Sequence, residues 1–227
     1  MSARIRAEIP ESAMRKTTPQ NAAAIDRRMV EEAVWSAPPS DGSDFDLNPE
    51  SRDLLPPNRR LRPAAVLCAL APRGEGFNVI LTRRSEQLKT HSGQVAFPGG
   101  KIDPTDPSPM AAALREAEEE IGLTADQVDV IGAIDRYETG TGFTITPFIA
   151  ICHPAFQPIA EEGEVAEVFE TPLDFLMDPR NRERRSAKWQ GQLRHYYAYD
   201  WEGRLIWGAT AAMLKALSDR IDRLRNS

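Results

Sequence analysis

The amino-acid sequence predicts an α/β or α+β protein in which strands are interleaved with two or three helices. Apolar runs typical of strands recur along the chain, and each is bounded by glycine, proline or other turn residues. Segments with the helical spacing of apolar residues separate several of these runs, which is the pattern of a layered domain. The length of 227 residues suffices for one substantial core with an appendage rather than for two full domains.

The first 60 residues are predicted to form an extension of the main domain. Residues 19–35 have helical spacing, with Ile25, Met29 and Val34 on one side. Residues 37–58 are rich in Pro, Asp and Ser, which favours a linker and a domain boundary. We therefore expect an N-terminal extension over 1–60 and the main domain over 61–227. The sequence does not choose whether this helix packs on its own core, on a second subunit or on nothing, so a homodimer stays open.

The main domain is predicted to begin with a hairpin of two strands, 62–73 and 77–84, joined by a turn of Gly74, Glu75 and Gly76. A short strand over 94–100 is stopped by Pro98 and a glycine pair, and a loop then leads into a helix. Strands follow over 128–137 and 143–152, and Pro147 is expected to put part of the second at a sheet edge. The remaining chain predicts a strand and short helix over 164–179, a hairpin of 193–201 and 204–208, and a terminal helix over 209–224.

Composition and charge exclude several classes of function. The chain has no run of about 18 apolar residues and no apolar signal-peptide core, so we expect a cytoplasmic protein without a role at membranes. The formal net charge of −6 argues against nonspecific binding to nucleic acid. Cys68 and Cys152 lie in apolar, strand-like runs and are expected to be buried free thiols.

Residues 99–123 concentrate carboxylates on one side of a predicted helix. Ser108 is the expected N-cap, Pro109 the first helical residue, and Gly122 the left-handed residue that ends the helix. Advancing about 100° per residue puts three glutamates on one face: Glu116, Glu119 and Glu120. A narrow apolar stripe that can pack on a sheet lies on the other side: Met110, Leu114, Ala117 and Ile121.

The three glutamates favour a cation site. Like charges at this spacing destabilise a helix by about 0.2–0.5 kcal/mol per pair, so compensation is expected. A divalent cation such as Mg²⁺ supplies it, because this ion takes one or two carboxylates together with substrate phosphates and water. Arg115, one turn before Glu119, can hold that carboxylate by a charge-assisted hydrogen bond. A solvated acidic face is the alternative, and the glycine pair before the helix weighs against it.

These residues resemble the signature of the Nudix hydrolases, a glycine and a spacer followed by Arg-Glu-apolar-x-Glu-Glu-x-Gly-apolar. The chain has Gly100 and then REAEEEIGL from Arg115 onward, which matches the second half completely. The glutamate that the signature has eight residues before the arginine is here Pro107, and the spacer is one residue longer, so that role is open to Asp103 or Asp106. The resemblance implies an α/β/α sandwich with a mixed sheet between helices. It also implies Mg²⁺ or Mn²⁺ bound by the three glutamates, Glu116, Glu119 and Glu120, with the Gly100 carbonyl.

The segment before the helix resembles the extra motif of the coenzyme A diphosphatase subgroup. The matching residues are ILTRRS over 80–85, then Lys89, Gly93 and FPGG over 97–100. Lys89 stands where the motif has an arginine, which keeps the charge but loses the bidentate fork. The resemblance, which covers about residues 62–224, implies five substrate-binding residues: Arg83, Arg84, Lys89, Gly93 and Phe97.

The function that the resemblance implies is metal-dependent hydrolysis of coenzyme A to 3′,5′-ADP and 4′-phosphopantetheine. The expected catalytic residues are Glu119, Arg115 and Glu164, and the general base is open between Glu119, Glu164 and Glu167. One alternative is a Nudix hydrolase of another compound, such as ADP-ribose or a dinucleotide. The other is a noncatalytic ligand-sensing or partner-binding domain. The expected partner is a small molecule, and neither a nucleic acid nor a membrane.

Overall fold

The computed structural model describes residues 24–56, 58–87, 92–189 and 191–226. The helices of these residues are α1 (Arg27–Trp35), α2 (Pro109–Ile121), α3 (Leu173–Met177) and α4 (Ala209–Arg225). The strands, numbered along the chain, are β1 (Asp41–Ser43), β2 (Arg62–Arg73), β3 (Gly76–Arg84), β4 (Val95–Ala96), β5 (Gly99–Lys101), β6 (Val128–Ala133), β7 (Arg136–Glu138), β8 (Phe143–Cys152), β9 (Val165–Pro172), β10 (Glu183–Trp189), β11 (Gln192–Trp201) and β12 (Arg204–Trp207). None of the described helices combines the length and the apolarity that crossing a membrane requires.

A mixed sheet, which has nine strands within the described residues, forms the centre of the molecule. The long strand β2 runs parallel to β8 and antiparallel to β3, as the predicted hairpin requires. Helix α2 packs on one face of this sheet, and α1, α3 and α4 cover the other face. The expected α/β/α sandwich with a mixed sheet between helices is therefore confirmed.

Strand β2 is apolar on both faces because both faces are covered. Ala65, Leu67 and Ala69 pack toward α2, and the alternate residues pack on the opposite side with α1, α3 and α4. The short side chains of Ala65 and Ala69 allow α2 to approach the sheet closely. Cys68 in β2 and Cys152 in β8 are buried and free, as predicted.

Strand β8 lies inside the sheet, so the expectation that Pro147 marks an edge is wrong. β2 pairs along one side of β8, while β6 and β7 pair along the other. The Pro147 carbonyl accepts a hydrogen bond from Ile134 N (3.1 Å), in the break between β6 and β7. Because the amide nitrogen and the carbonyl of a strand residue face the same side, the missing N–H of Pro147 meets this break instead of an intact ladder. The same break divides the predicted strand 128–137 into two.

The described part of the N-terminal segment packs on the common core. Helix α1 begins where Asp26 accepts a hydrogen bond from Met29 N (2.8 Å), and residues 19–23 of the predicted helix lie outside the described residues. Ile25 and Val34 are buried in the cluster that α4 and the sheet form. β1 pairs in parallel with β7. The division of the chain near residue 60 stays a prediction.

A smaller antiparallel sheet, of three strands within the described residues, lies beside α4. Its strands β11 and β12 form the predicted hairpin. The sequence does not predict β10, which pairs with β11 from Glu183 to Trp189. The sequence of β10, ERRSAKW, lacks the alternation of apolar residues that identifies a strand.

Candidate active site

Helix α2 begins and ends where the sequence predicts. Ser108 Oγ accepts a hydrogen bond from Ala111 N (3.1 Å), and Pro109 is the first helical residue. Gly122 takes the left-handed conformation (φ 71°), and its N–H donates to the Glu118 carbonyl (3.0 Å). The glutamates of this helix are therefore fixed in their expected register.

The buried face of α2 differs from the predicted apolar stripe. Glu120 is 3% exposed, whereas Met110 is 42% exposed. The apolar residues that share the buried face with Glu120 are Ala112, Ala113, Ala117 and Ile121. Because three of these four are alanines, the helix lies close enough to bring one carboxylate against the strand backbone. The expected separation of the acidic and apolar faces is therefore wrong at Glu120 and at Met110.

The glycine pair of β5 forms the wall opposite these carboxylates. Gly99 N donates a hydrogen bond to Glu120 Oε2 (3.2 Å). Gly99 has φ 148°, and a Cβ there would lie 2.5 Å from the Ala65 carbonyl oxygen. A Cβ on Gly100 would lie 2.5 Å from Glu116 Cδ, so the Glu116 carboxylate packs directly on the strand. Both glycines thus allow a close approach that any side chain would prevent.

Arg115 ties the helix glutamates to the loop before them. Its Nε and Nη2 donate to the two carboxylate oxygens of Asp106, at 3.0 and 3.1 Å. Its Nη1 lies 3.1 Å from Glu116 Oε1 and 3.0 Å from Glu119 Oε2. Asp103 is farther from the guanidinium, at 3.8 Å. Asp106 is therefore the acid of this loop that holds the arginine, and that hydrogen-bonded pairing lowers the pKa of Asp106.

The side chains of the two neighbouring arginines of β3 lie on different faces of the sheet. Arg84 Nη1 donates to Glu120 Oε1 (3.1 Å) on the side of α2. Arg83 Nε donates to Glu167 Oε2 (3.1 Å), on the residue that pairs with it in β9. Successive side chains of a strand alternate between faces, so of the two arginines it is Arg84 that lies among the helix glutamates.

The two acids further along the chain, Glu164 and Glu167, also differ in their positions relative to α2. Glu167 is bound by Arg204 (2.6 Å) as well as by Arg83, and its pKa is lowered by these hydrogen bonds, that from Arg204 most of all. Two guanidinium groups thus hold this carboxylate away from α2, so its expected role as a base has no geometric support. Glu164 lies just before β9, where its carbonyl accepts from Ser85 N (2.8 Å), and its charge raises the pKa of both Glu116 and Glu120.

The remaining predicted substrate-binding residues surround the end of β3. Gly93 has φ 69° and donates its N–H to the Arg84 carbonyl (3.1 Å), which closes the connection between β3 and β4. Phe97 is 2% exposed and packs in the core, so its side chain supports the glycine pair and offers no surface to a ligand. Lys89 lies outside the described residues.

Burial dominates the electrostatics of the inner glutamates. It raises the pKa of Glu120 to about 7, although Gly99 N–H and Arg84 both act to lower it. Burial also raises the pKa of Glu116, against the lowering effect of Arg115. A cation between these groups would favour their charged forms, which makes the pair suited to bind one.

The donors present fit a divalent cation whose coordination is completed by a ligand. No three acidic, histidine or cysteine side chains converge into a self-contained metal site within the part of the chain described. Glu116 and Glu120 are one turn apart against the glycine pair, and Glu119 lies at the exposed rim. Two carboxylates with a backbone carbonyl are a sparse set, which suits Mg²⁺ because this ion keeps several waters and binds phosphates.

Gly100→Ala is expected to weaken Mn²⁺ binding by about tenfold or more, because the new Cβ displaces the Glu116 carboxylate from the strand. Titration with Mn²⁺, followed by electron paramagnetic resonance of the free ion, measures this change. Gly76→Ala is the matched control, since a Cβ there meets nothing closer than 3.7 Å. Equal Mn²⁺ affinity in the two variants would exclude Glu116 from the cation site.

Sequence reasoning missed the backbone donor of the site. The Gly99 amide fixes the Glu120 carboxylate, and the glycine pair before the helix is the signal that could have indicated it. The choice between Asp103 and Asp106 has no comparable signal, because it depends on the path of the loop between β5 and α2.

Comparisons with known proteins identify the family of this chain. A family model described as the NUDIX domain matches residues 60–192. A relative from Photorhabdus laumondii, described as an uncharacterized Nudix hydrolase NudL, is 37% identical over 183 residues, which cover 79% of this chain and 97% of its own. A relative of the same description from Escherichia coli K12 is 39% identical over 165 residues, covering 70% and 83%. The MutT protein of Methanosarcina mazei Go1 overlaps 75% of this chain and 99% of its own, with a TM-score of 0.48 at 19% identity. Since the family model covers more than half of the chain and these NudL relatives are more than a third identical to it over the aligned residues, the chain belongs to the Nudix hydrolase family.

Proposed function

We propose that this Nudix hydrolase cleaves the diphosphate bond of coenzyme A, releasing 3′,5′-ADP and 4′-phosphopantetheine. The observation that carries the proposal is the convergence of Glu116 and Glu120 on the glycine pair, with Arg84 in contact with Glu120. Carboxylates bind a cation and a guanidinium binds phosphate, so a diphosphate can bridge the two. Arg84 comes from the segment that resembles the coenzyme A diphosphatase motif, which favours coenzyme A over other diphosphates.

Nudix hydrolases generally use divalent metal ions, and Glu116, Glu119, Glu120 and the Gly100 carbonyl would hold Mg²⁺ or Mn²⁺ here. When bound, the cation neutralises diphosphate charge and lowers the pKa of a water. Arg115 is not a cation ligand but positions two of them, because it contacts Glu116 and Glu119. Asp106 in turn fixes the position of Arg115. Asp106 therefore takes the place of the acid that the family signature has at position 107.

Glu164 and Glu119 are the proposed acceptors of the proton from the attacking water. Glu164 is exposed, and its side chain has no hydrogen bond or ion pair among the described residues. Its charge acts on both inner glutamates, which indicates that it lies near them. Glu119 is also accessible, at 59% exposure of its side chain, but Arg115 holds one of its oxygens. Within the part of the chain described, Glu164 has no such contact to break before it can accept a proton, so it is the first choice.

The remaining substrate contacts are proposed from the subgroup motif. Gly93 donates its N–H to the Arg84 carbonyl within the connection that follows β3. Lys89 belongs to the same connection and adds a positive charge to it. Arg83 is the second proposed phosphate contact, from the other face of β3.

Incubation with Mg²⁺ or Mn²⁺ and separate samples of coenzyme A, ADP-ribose and a dinucleoside polyphosphate tests the proposal. We expect 3′,5′-ADP and 4′-phosphopantetheine from coenzyme A, separated by ion-exchange chromatography, at a rate well above that for the other compounds. Rapid cleavage of ADP-ribose with coenzyme A intact would replace this substrate with the alternative. Tight binding of any of them without product would favour a noncatalytic domain.

A further inference from the structure

Two arginines converge on one carboxylate at the end of β3. Glu167 Oε1 accepts from Arg204 Nη2 (2.6 Å) and Arg204 Nε (2.9 Å), and its Oε2 accepts from Arg83 Nε (3.1 Å). Arg204 comes from β12 of the smaller sheet, whereas Arg83 and Glu167 are partners in the main sheet. The three groups therefore join the two sheets, and a second carboxylate, Glu202, lies with its Oε2 3.3 Å from Arg204 Nη1.

This cluster lies next to Arg84, the proposed diphosphate contact, but on the other side of the strand. Arg83 and Arg84 are consecutive, so their Cα atoms are about 3.8 Å apart. β3 ends at Arg84, and β9 begins opposite it at Val165, so the cluster is at the rim of the sheet. Just beyond this end, Ser85 N donates to the Glu164 carbonyl and Gly93 N to the Arg84 carbonyl, so a ligand whose diphosphate lies at Arg84 has to pass around these residues to reach Arg83.

The cluster is open to such a ligand. The side chains of Arg83, Glu167 and Arg204 are 39%, 28% and 28% exposed. Arg204 also lies over the Phe169 ring, with its guanidinium carbon 4.9 Å from the ring centroid, which holds the side chain in place. A partly solvated ion pair contributes little stability, so displacing Glu167 from it costs little.

A phosphate monoester suits these two arginines better than a carboxylate does. It carries about −1.5 to −2 charges near pH 7 and offers three acceptor oxygens. Two guanidinium groups can bind it with parallel N–H···O bonds, which are the strong, directional form of this contact. Glu167 presents a single charge to both arginines, and the other carboxylate of the cluster, Glu202, is 66% exposed and, of the two arginines, contacts only Arg204.

We propose that Arg204 and Arg83 form a subsite for a ribose 3′-phosphate and that Glu167 competes with this phosphate for them. This inference rests on the proposed function, because it identifies the part of coenzyme A that distinguishes it from other nucleoside diphosphate compounds. The diphosphate would bind on the α2 face at Arg84, and the 3′-phosphate around the strand end. Arg204 lies beyond both the family match and the subgroup motif, so neither of them assigns it a role.

Steady-state kinetics with coenzyme A and with dephospho-coenzyme A, which lacks the 3′-phosphate, test the subsite. In Arg204→Gln we expect KM for coenzyme A to rise by about tenfold or more, with kcat and the KM for dephospho-coenzyme A unchanged. In Glu167→Gln we expect KM for coenzyme A to stay equal or fall, because the competing charge is removed. A purely structural ion pair predicts instead that both variants behave alike toward both compounds, and that result would overturn the subsite.

Arg73→Gln is the matched control. Arg73 pairs with Glu170 of the same strand β9 at 2.6 Å, with similar exposure, and lies outside the proposed site. We expect this variant to leave both KM values unchanged. If Arg204→Gln does not fold, Arg204→Lys replaces it: lysine keeps the charge but loses the bidentate fork, so we expect a smaller rise in KM for coenzyme A, and equal KM values in Arg204→Lys and wild type would overturn the subsite.

A binding measurement separates failure of the subsite from failure of the proposed function. Calorimetric titration with 3′,5′-ADP and with 5′-AMP requires no turnover. We expect the wild-type chain to prefer 3′,5′-ADP and Arg204→Gln to lose that preference. If coenzyme A is not cleaved, but the wild type prefers 3′,5′-ADP to 5′-AMP and Arg204→Gln does not, the proposed function is wrong and the subsite stands. If coenzyme A is cleaved and the wild type binds the two nucleotides equally, the subsite is wrong and the function stands.

Discussion

Glu120→Gln is expected to lower kcat by at least about 10²-fold, with little change in the thermal unfolding midpoint or a small rise. The carboxylate faces the glycine pair and Arg84, where the proposed cation and diphosphate meet. Removing a charge that stabilises the reacting group typically costs two or more orders of magnitude. Gln keeps the volume and an acceptor oxygen for the Gly99 N–H, so the packing of α2 is preserved.

The stability of this variant follows from the sign of the pKa shift. Burial raises the pKa of Glu120 from 4.5 to about 7, so the folded chain binds more protons than the unfolded chain between these pH values. Without a divalent cation, the contribution of Glu120 to stability is therefore complete below about pH 4.5 and is lost as the pH rises to about 7. The neutral amide has no such loss. We expect the midpoint of Glu120→Gln to equal or exceed that of wild type at pH 8 in EDTA.

Glu118→Gln is the control for this prediction. Glu118 belongs to the same helix but is exposed on another side. Differential scanning fluorimetry and a single-turnover assay on both variants give the comparison. Turnover at the wild-type rate in Glu120→Gln would show that the cation site does not lie on this face of α2. A thermal unfolding midpoint far below that of Glu118→Gln would show that Glu120 has a structural role.

Local chemistry explains which parts of the site could be predicted. The N-cap at Ser108 and the left-handed Gly122 depend on residues within one turn, so the bounds of α2 follow from the sequence. The hairpin of β2 and β3 is local in the same sense. Helical spacing identified the three glutamates and the family signature matched them, although the spacing misjudged how deeply Glu120 is buried.

Contacts between distant segments explain what the sequence did not predict. Arg83 and Arg84 look alike in the sequence, and it is the pairing of β3 with β9 that gives one of them to Glu167. The interior position of Pro147 depends on a break between two other strands. β10 is too charged to show the alternation of a strand, and it forms because β11 pairs with it.

Arg220→Met is expected to destabilise the chain by about 3 kcal/mol or more, which is typical when one partner of a buried ion pair is removed. Arg220 is 1% exposed in α4 and binds both oxygens of Asp135, at 3.2 and 2.8 Å. It also donates to four carbonyls at the end of α1 and in the residues after it: Ala33, Val34, Ala37 and Pro38. Met fills a similar volume but leaves these acceptors and the Asp135 charge without their donor.

Urea unfolding followed by circular dichroism measures the loss, with Arg223→Met as the control. Arg223 lies three residues further along α4 and is exposed, so we expect a change within about 0.5 kcal/mol there. A loss in Arg220→Met no larger than that of the control would mean that Arg220 does not hold the N-terminal segment on the core.

The pH dependence of the difference in unfolding free energy between wild type and Arg220→Met tests the ion pair separately from the carbonyl contacts. Burial would raise the pKa of Asp135, but hydrogen bonds from Arg220 and Ser40 outweigh burial and lower it from 3.8 to about 2. Because the folded pKa is the lower one, the stabilisation from Asp135 is complete above about pH 4 and is lost as the pH falls to about 2. The difference in unfolding free energy between wild type and Arg220→Met should therefore become smaller over this pH interval. A difference that stays constant from pH 5 to pH 2 would assign the whole effect to the backbone carbonyls, since their hydrogen bonds do not titrate in this range.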